Sequence, residues 1–367
     1  MGFGHLRRLA VMALALLAGG AHAEAIVGCE PRHGLEPICG FQGSEDIEVL
    51  PGEAQLIVSQ SRVSLTAAGR MEWKPSSLAA FDVARRLNRV LYPLGPAAAA
   101  EGDWGDVDCL GEIGTALSPH GIHLSRRSGG EWQLLVVNHG IRESVEMFEV
   151  TGSGDDLGLK WRGCAMAPAH VFFNDTAALP GDEFLVTVMM DARETMATAA
   201  AKARQGQDSG YVLRWTRAGG FVRVHGSESP LTNGIQASKD GRVMFIDVAG
   251  EVRKIDLATG RLLGVAKVPN PDNLSWTRDG KLLTAGLQKD ANVAPCMADF
   301  RAPCGAAFNV FVIDADTMQA KLLLAHEGAP MGMATVAVEA GDSLYLGSAA
   351  GDRIVRFPLT AAGKPGR

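Results

Sequence analysis

The 367-residue sequence predicts an all-β protein, a six-bladed β-propeller with a short helical insertion. Three observations lead there. Six segments share one layout, a polar or small residue, a partly alternating apolar stretch, a turn rich in Gly and Asp, and a second apolar stretch. Their starts lie on average roughly 55–60 residues apart, room for a four-stranded sheet with its loops. Together they fill the chain that follows an N-terminal leader, and radial repetition of such sheets gives a propeller with a central channel.

The elements follow in order. "MGFGHLRRLAVMALALLAGGAHA" pairs Arg7 and Arg8 with an apolar run too short to span a bilayer and a small-residue Ala21-His22-Ala23 site. It predicts a secretory signal peptide over 1–23, a propeller over 24–367, and a secreted or periplasmic location. The repeats begin at Glu45 ("EDIEVLPGEAQLIVS"), His120 ("HGIHLSRRSGGEWQLLVVNH"), Asn174 ("NDTAALPGDEFLVTVM"), Asn233 ("NGIQASKDGRVMFID"), Asp272 ("DNLSWTRDGKLLTAG") and Ala334 ("ATVAVEAGDSLYLG"). "YVLRWT", "FVRVHG", "EVRKIDL", "VFVIDAD" and "RIVRFPL" supply outer strands. Two segments depart from the β pattern: 191–205 reads as a helix inserted in the third blade, and 77–91 as a helix before the second repeat.

Six cysteines allow fifteen pairings. Proximity favours Cys29 with Cys39 and Cys296 with Cys304, leaving Cys109 for Cys164. No CxxC or Cys/His cluster suggests zinc. A formal net charge of −6 and the lack of a basic block argue against nucleic acid and anionic membrane surfaces as partners. No later segment is apolar enough to cross a membrane as a helix.

Inner strands of a propeller enter its channel from one side, so residues at their starts converge. Those residues are Glu45 and Asp46, His120, Asn174 and Asp175, Asn233, and Asp272 with Asn273. Asn and Asp are also ordinary turn formers. Five such positions in register across four repeats point instead to a metal, and oxygen donors without thiolates suit Ca²⁺. Glu45, Asn174, Asn233, Asp272 and Asn273 are the expected ligands of one ion. Strand alternation sends Asp46 and Asp175 to a second, structural ion completed by the backbone carbonyl of Ile122. His120 opens the second inner strand and His139 ends the returning one; with the turn near Ser128 and Gly129, positions 120 and 138 pair, placing both rings at one mouth. No GxSxG, GxGxxG or Walker motif occurs, which disfavours an acyl-enzyme serine and nucleotide cofactors.

"GSEDIEVLP", "SPHGIHL", "LLVVNHGIRESVEMFEV", "FFNDTAAL", "LTNGIQASKDGRVMFI" and "PDNLSWTRDG" resemble, in that order, the signature segments of the paraoxonase/arylesterase family of calcium-dependent lactonases, within the gluconolactonase-like propeller superfamily. The resemblance implies two channel Ca²⁺ ions, one catalytic and one structural, on the ligands named above, with His120 and His139 as the family's histidine dyad. It implies an exported hydrolase of lactones or aryl esters, with Asp272 as an alternative nucleophile or base. A sugar-lactone hydrolase and a non-catalytic binding propeller are the alternatives. Two departures stand out. No Cys follows Cys304 to join the chain ends, so ring closure falls to strand pairing, and the loop 288–308 recasts the fifth blade's exit.

Overall fold

The computed structural model describes residues 26–96 and 102–359, so the expected signal peptide lies outside the described residues. Six four-stranded antiparallel sheets form a ring of blades. Their innermost strands are Ser44–Val49, Pro119–Arg126, Val171–Leu179, Ile235–Ala237, Pro271–Trp276 and Ala334–Ala340. Each expected repeat is the inner hairpin of one blade. The apolar stretches alternate sides because each sheet packs against a neighbour on both faces, and the core is therefore divided into wedges between successive blades. Phe148 and Trp161 fill the wedge between the first two blades, and Phe184 and Trp215 the next.

The ring closes without a bond between the chain ends. Strand Glu36–Cys39 pairs with Arg353–Pro358 and completes the sixth sheet, in register Glu36 to Arg356 and Cys39 to Arg353. The Glu36 carboxylate accepts from the Arg356 guanidinium at 3.2 Å, and the Cys29–Cys39 disulfide ties the strand to the segment before it. The other disulfides join Cys109 to Cys164 and Cys296 to Cys304, as sequence proximity favours.

Two expectations need correction. The segment 77–91 is not helical: it is the end of strand Met71–Asp82, a turn, and strand Leu87–Tyr92, the two outer strands of the first blade. Its alanines pair across Gln55–Leu65, Ala79 with Val58 and Ala80 with Ile57, and that pairing overrides their helical propensity. The second repeat's hairpin pairs Asn138 with Pro119 rather than with position 120, because a bulge separates Pro119 from Ile122. The expected insertion in the third blade is helical over Met196–Arg204, capped by the Thr195 hydroxyl, and a second short helix, Ala294–Ala298, lies in the 288–308 loop.

Bulges recur where the candidate residues sit. The ladders shift between Ser44 and Asp46, Pro119 and Ile122, Phe173 and Thr176, Pro271 and Leu274, and Ala334 and Val336. A bulge frees a residue from pairing and re-aims its side chain, so adjacent acids need not follow strand alternation. Glu45 and Asp46 are both buried. Close approach of neighbouring inner strands also explains two glycines: a Cβ on Gly121 would meet Asn174 O and Asp175 Oδ1 at 2.6 Å, and one on Gly234 would meet Asp272 O at 2.4 Å. Gly121→Ala is expected to destabilise the fold by about 1–3 kcal/mol, read as a lower midpoint in thermal melting. An unchanged midpoint would show that the second and third inner strands tolerate a wider spacing.

Candidate active site at the channel mouth

The bulges bring the predicted residues together. Asn273 Nδ2 donates to Glu45 Oε1 at 2.9 Å across the ring, and Thr335 of the sixth blade donates to the Glu45 carbonyl at 2.6 Å. Asn233 hydrogen-bonds Asp272, and the Gly234 N–H donates to the Asp272 carbonyl at 2.8 Å. Asp46 takes two backbone N–H groups, Ile47 at 2.8 Å and Ile122 at 2.7 Å. Asp175 repeats the arrangement, with Thr176 at 2.7 Å and Ile235 at 2.9 Å. Each of these aspartates thus fastens its own bulge and the inner strand of the next blade.

Buried carboxylates crowd this channel, and among the described residues none of them ion-pairs with Lys or Arg; the one recorded partner is His120, 3.7 Å from Glu45. Burial holds the Glu45 carboxyl well above its usual range, with Asp46 and Asp272 adding repulsion. Burial does the same to Asp46 and Asp175 against their N–H donors, and pushes Asp272 up to about 7. Like charges at short range in a dry site favour protonation or a bound cation.

Some of the buried polar atoms left without a hydrogen-bond partner bear on which of the two fits. Glu45 Oε2, Asn174 Oδ1, Asn233 Oδ1 and Asn273 Oδ1 are buried and have no hydrogen-bond partner. All four are oxygens, and all four belong to the predicted ligand set. An orphaned buried oxygen costs on the order of 1–3 kcal/mol, and a hard cation satisfies several at once. Among the described residues no three His, Cys, Asp or Glu side chains gather as a ready-made cation site. Here amide oxygens make up the donors that such a grouping lacks, so the residues present fit Ca²⁺.

The two histidines meet as expected, His120 Nδ1 lying 2.9 Å from His139 Nε2. Burial first, and His139 second, keep the His120 imidazole neutral by lowering its pKa well below the usual value. Three neighbours were not legible in the sequence. Glu143 sits 2.8 Å from His139 Nδ1. Phe172 stacks on His139 with ring centres 4.4 Å apart, and Trp73 lies 4.2 Å from the His139 ring and 4.7 Å from that of His120. Trp73 arrives on an overlong hairpin of the first blade, Gln55–Leu65 with Met71–Asp82, anchored where Ser61 donates to the Pro119 carbonyl and Ser118 to that of Lys74. Its tip packs Met71 and Trp73 against Phe172, against Met196 and Ala199 of the inserted helix, and against Leu231. These residues make an apolar roof beside the dyad. On the hairpin's other side a cavity of about 430 Å³ is lined by Arg62, Lys74, Met297 and Phe300, the last two from the 288–308 loop. A fourth unpredicted group, Asp247, ends the returning strand of the fourth blade, buried and hydrogen-bonded to Thr284 at 2.9 Å.

Solved structures similar to this chain include two bacterial proteins. A gluconolactonase from Xanthomonas campestris superposes with a TM-score of 0.49 at 17% identity, over 88% of this chain and 89% of its own. Regucalcin from Agrobacterium tumefaciens, described as a calcium-binding protein, superposes with a TM-score of 0.46 at 12% identity, over 87% and 90%. No family profile matches the chain, and no curated protein does.

The carboxylate shifts set the pH response of chelator-treated protein. A folded-state carboxyl pKa above the unfolded value stabilises at acid pH and is lost as pH rises. For Asp272 that window runs from the ordinary 3.8 to about 7, with Glu45, Asp46 and Asp175 shifted in the same direction. The gap in melting temperature between Ca²⁺-loaded and chelated protein is therefore expected to widen from about pH 4 to about pH 7. A gap that stays constant with pH would contradict a shared carboxylate–cation site.

Proposed function

We propose that the protein is an exported, calcium-dependent hydrolase of lactones and aryl esters. The observation that carries this reading is the set of four unpartnered buried oxygens beside a hydrogen-bonded histidine pair. Glu45, Asn174, Asn233, Asp272 and Asn273 would hold a first Ca²⁺, and Asp46, Asp175 and the Ile122 carbonyl a second, structural one. When bound, the first ion supplies Lewis-acid polarisation of an ester carbonyl, an effect worth several kcal/mol.

The chain's own residues provide the rest. His120, neutral through burial, offers a ring lone pair to an attacking water. His139 holds that ring and shares the charge that develops on it. Asp272 is the alternative nucleophile or base. The roof of Trp73, Phe172, Met71 and Met196 suits acyl or aryl groups better than polyhydroxylated sugar lactones. Three disulfides fit an oxidising compartment, which supports export. Among the described residues no helix is long and apolar enough to cross a membrane.

Glu45→Gln is expected to lower kcat roughly 100-fold or more while the folded circular-dichroism spectrum is kept. Asp46→Asn is expected to lower the melting temperature first. Purified protein that hydrolyses no lactone or aryl ester at saturating Ca²⁺ would overturn the hydrolase reading and leave a binding propeller.

A further inference from the structure

We infer that Glu143 is a third, positioning member of the histidine pair, fixing the proton positions so that His120 turns a bare Nε2 toward the oxygen cluster. Its catalytic consequence rests on the hydrolase reading above. The proton positions rest on hydrogen-bond geometry, given one N–H per ring.

The argument runs along three hydrogen bonds. Glu143 Oε2 lies 2.8 Å from His139 Nδ1, while its Oε1 accepts the Phe173 N–H at 2.6 Å. A carboxylate only accepts, so the proton of the first bond belongs to His139 Nδ1. A neutral imidazole carries one N–H, which leaves His139 Nε2 as an acceptor. The proton shared with His120, across 2.9 Å, therefore sits on His120 Nδ1. His120 Nε2 is then the lone-pair nitrogen, and this atom is the one 3.7 Å from Glu45 Oε1, beyond hydrogen-bond distance and free to take a proton from water.

Other groups do not compete for this role. Arg142, the next residue, is turned onto Glu146 by paired bonds of 2.8 and 2.9 Å, and Trp161 donates to the same carboxylate. Trp73 and Phe172 fix the ring planes but offer His139 no acceptor. Without the Glu143 carboxylate His139 has no reason to prefer Nδ1–H. The reversed chain would put a proton on His120 Nε2 and disable it as a base. Glu143 also ties the dyad to the third inner strand, because Phe173 directly precedes Asn174.

The test uses the full chain with ¹⁵N-labelled histidine and two-bond ¹H–¹⁵N correlation spectra. The expected result is the Nδ1–H tautomer for both His139 and His120. An Nε2–H tautomer on either ring overturns the assignment. A variant adds a second readout: in Glu143→Gln, whose amide cannot accept from both His139 and Phe173, kcat is expected to fall about 10–100-fold with KM little changed, and the His120 tautomer to become mixed. A Glu143→Gln protein that loses melting temperature while both tautomers stay fixed would make the residue merely structural and overturn the proposal. Tautomers as assigned in a protein without any lactonase or esterase turnover support the positioning role and remove the hydrolase reading instead.

Discussion

Carboxylates confined to a narrow channel, with no Lys or Arg among the described residues to balance them, are the constraint around which this ring is arranged. Glu45, Asp46 and Asp175 are buried by the blades that carry them, and Asp272 is partly buried beside them. Backbone N–H groups answer part of that cost. Asp46 and Asp175 each draw one donor from their own bulge and one from the following blade, so the same device appears twice, a third of the ring apart. The glycine before each donor, Gly121 or Gly234, lets the inner strand of the following blade come close, at Asn174 and Asp175 or at Asp272 and Asn273. The His-Gly-Ile and Asn-Gly-Ile triplets therefore have one steric cause.

Much of this was legible before any coordinates. Turn chemistry and hairpin repetition gave the blade count, the absence of a terminal cysteine pointed to closure by strand pairing, and register across repeats picked out oxygen-bearing side chains that lie together in the channel. Local propensity misled at 77–91, where alanines and arginines look helical until the long strand beside them offers a ladder. Bulges were invisible, since one extra residue in a strand leaves no compositional mark. The alternation argument for Glu45 and Asp46 consequently reached two separate environments by a mechanism the backbone does not use. Glu143 and Trp73 escaped notice for a different reason: their partners are set by a loop turn and an overlong hairpin, neither of which the repeat encodes.

A division of labour follows within the fold. The ring supplies the oxygens, the dyad and the rigid spacing between them, all from strand starts that the sheets hold in place. The roof is built from departures from the repeat, a stretched hairpin in the first blade and a helix in the third, which meet through Met71, Trp73 and Met196. Such additions change without disturbing the ring. The roof is free to vary while the oxygen cluster and the histidine pair stay where they are.

Closure by strand Glu36–Cys39 carries a consequence for biogenesis. Its partner lies about three hundred residues away, Glu36 meeting Arg356 at a separation of 320. Five sheets are complete within contiguous stretches of chain, but the last must wait for both extremities. A polypeptide emerging N-terminus first keeps an unpaired strand edge open until its final blade arrives, a sticky interval in which one molecule's leading segment could complete a neighbour's ring. The Cys29–Cys39 link closes a loop of only ten residues and is available early, which shapes that leading segment before its partner exists.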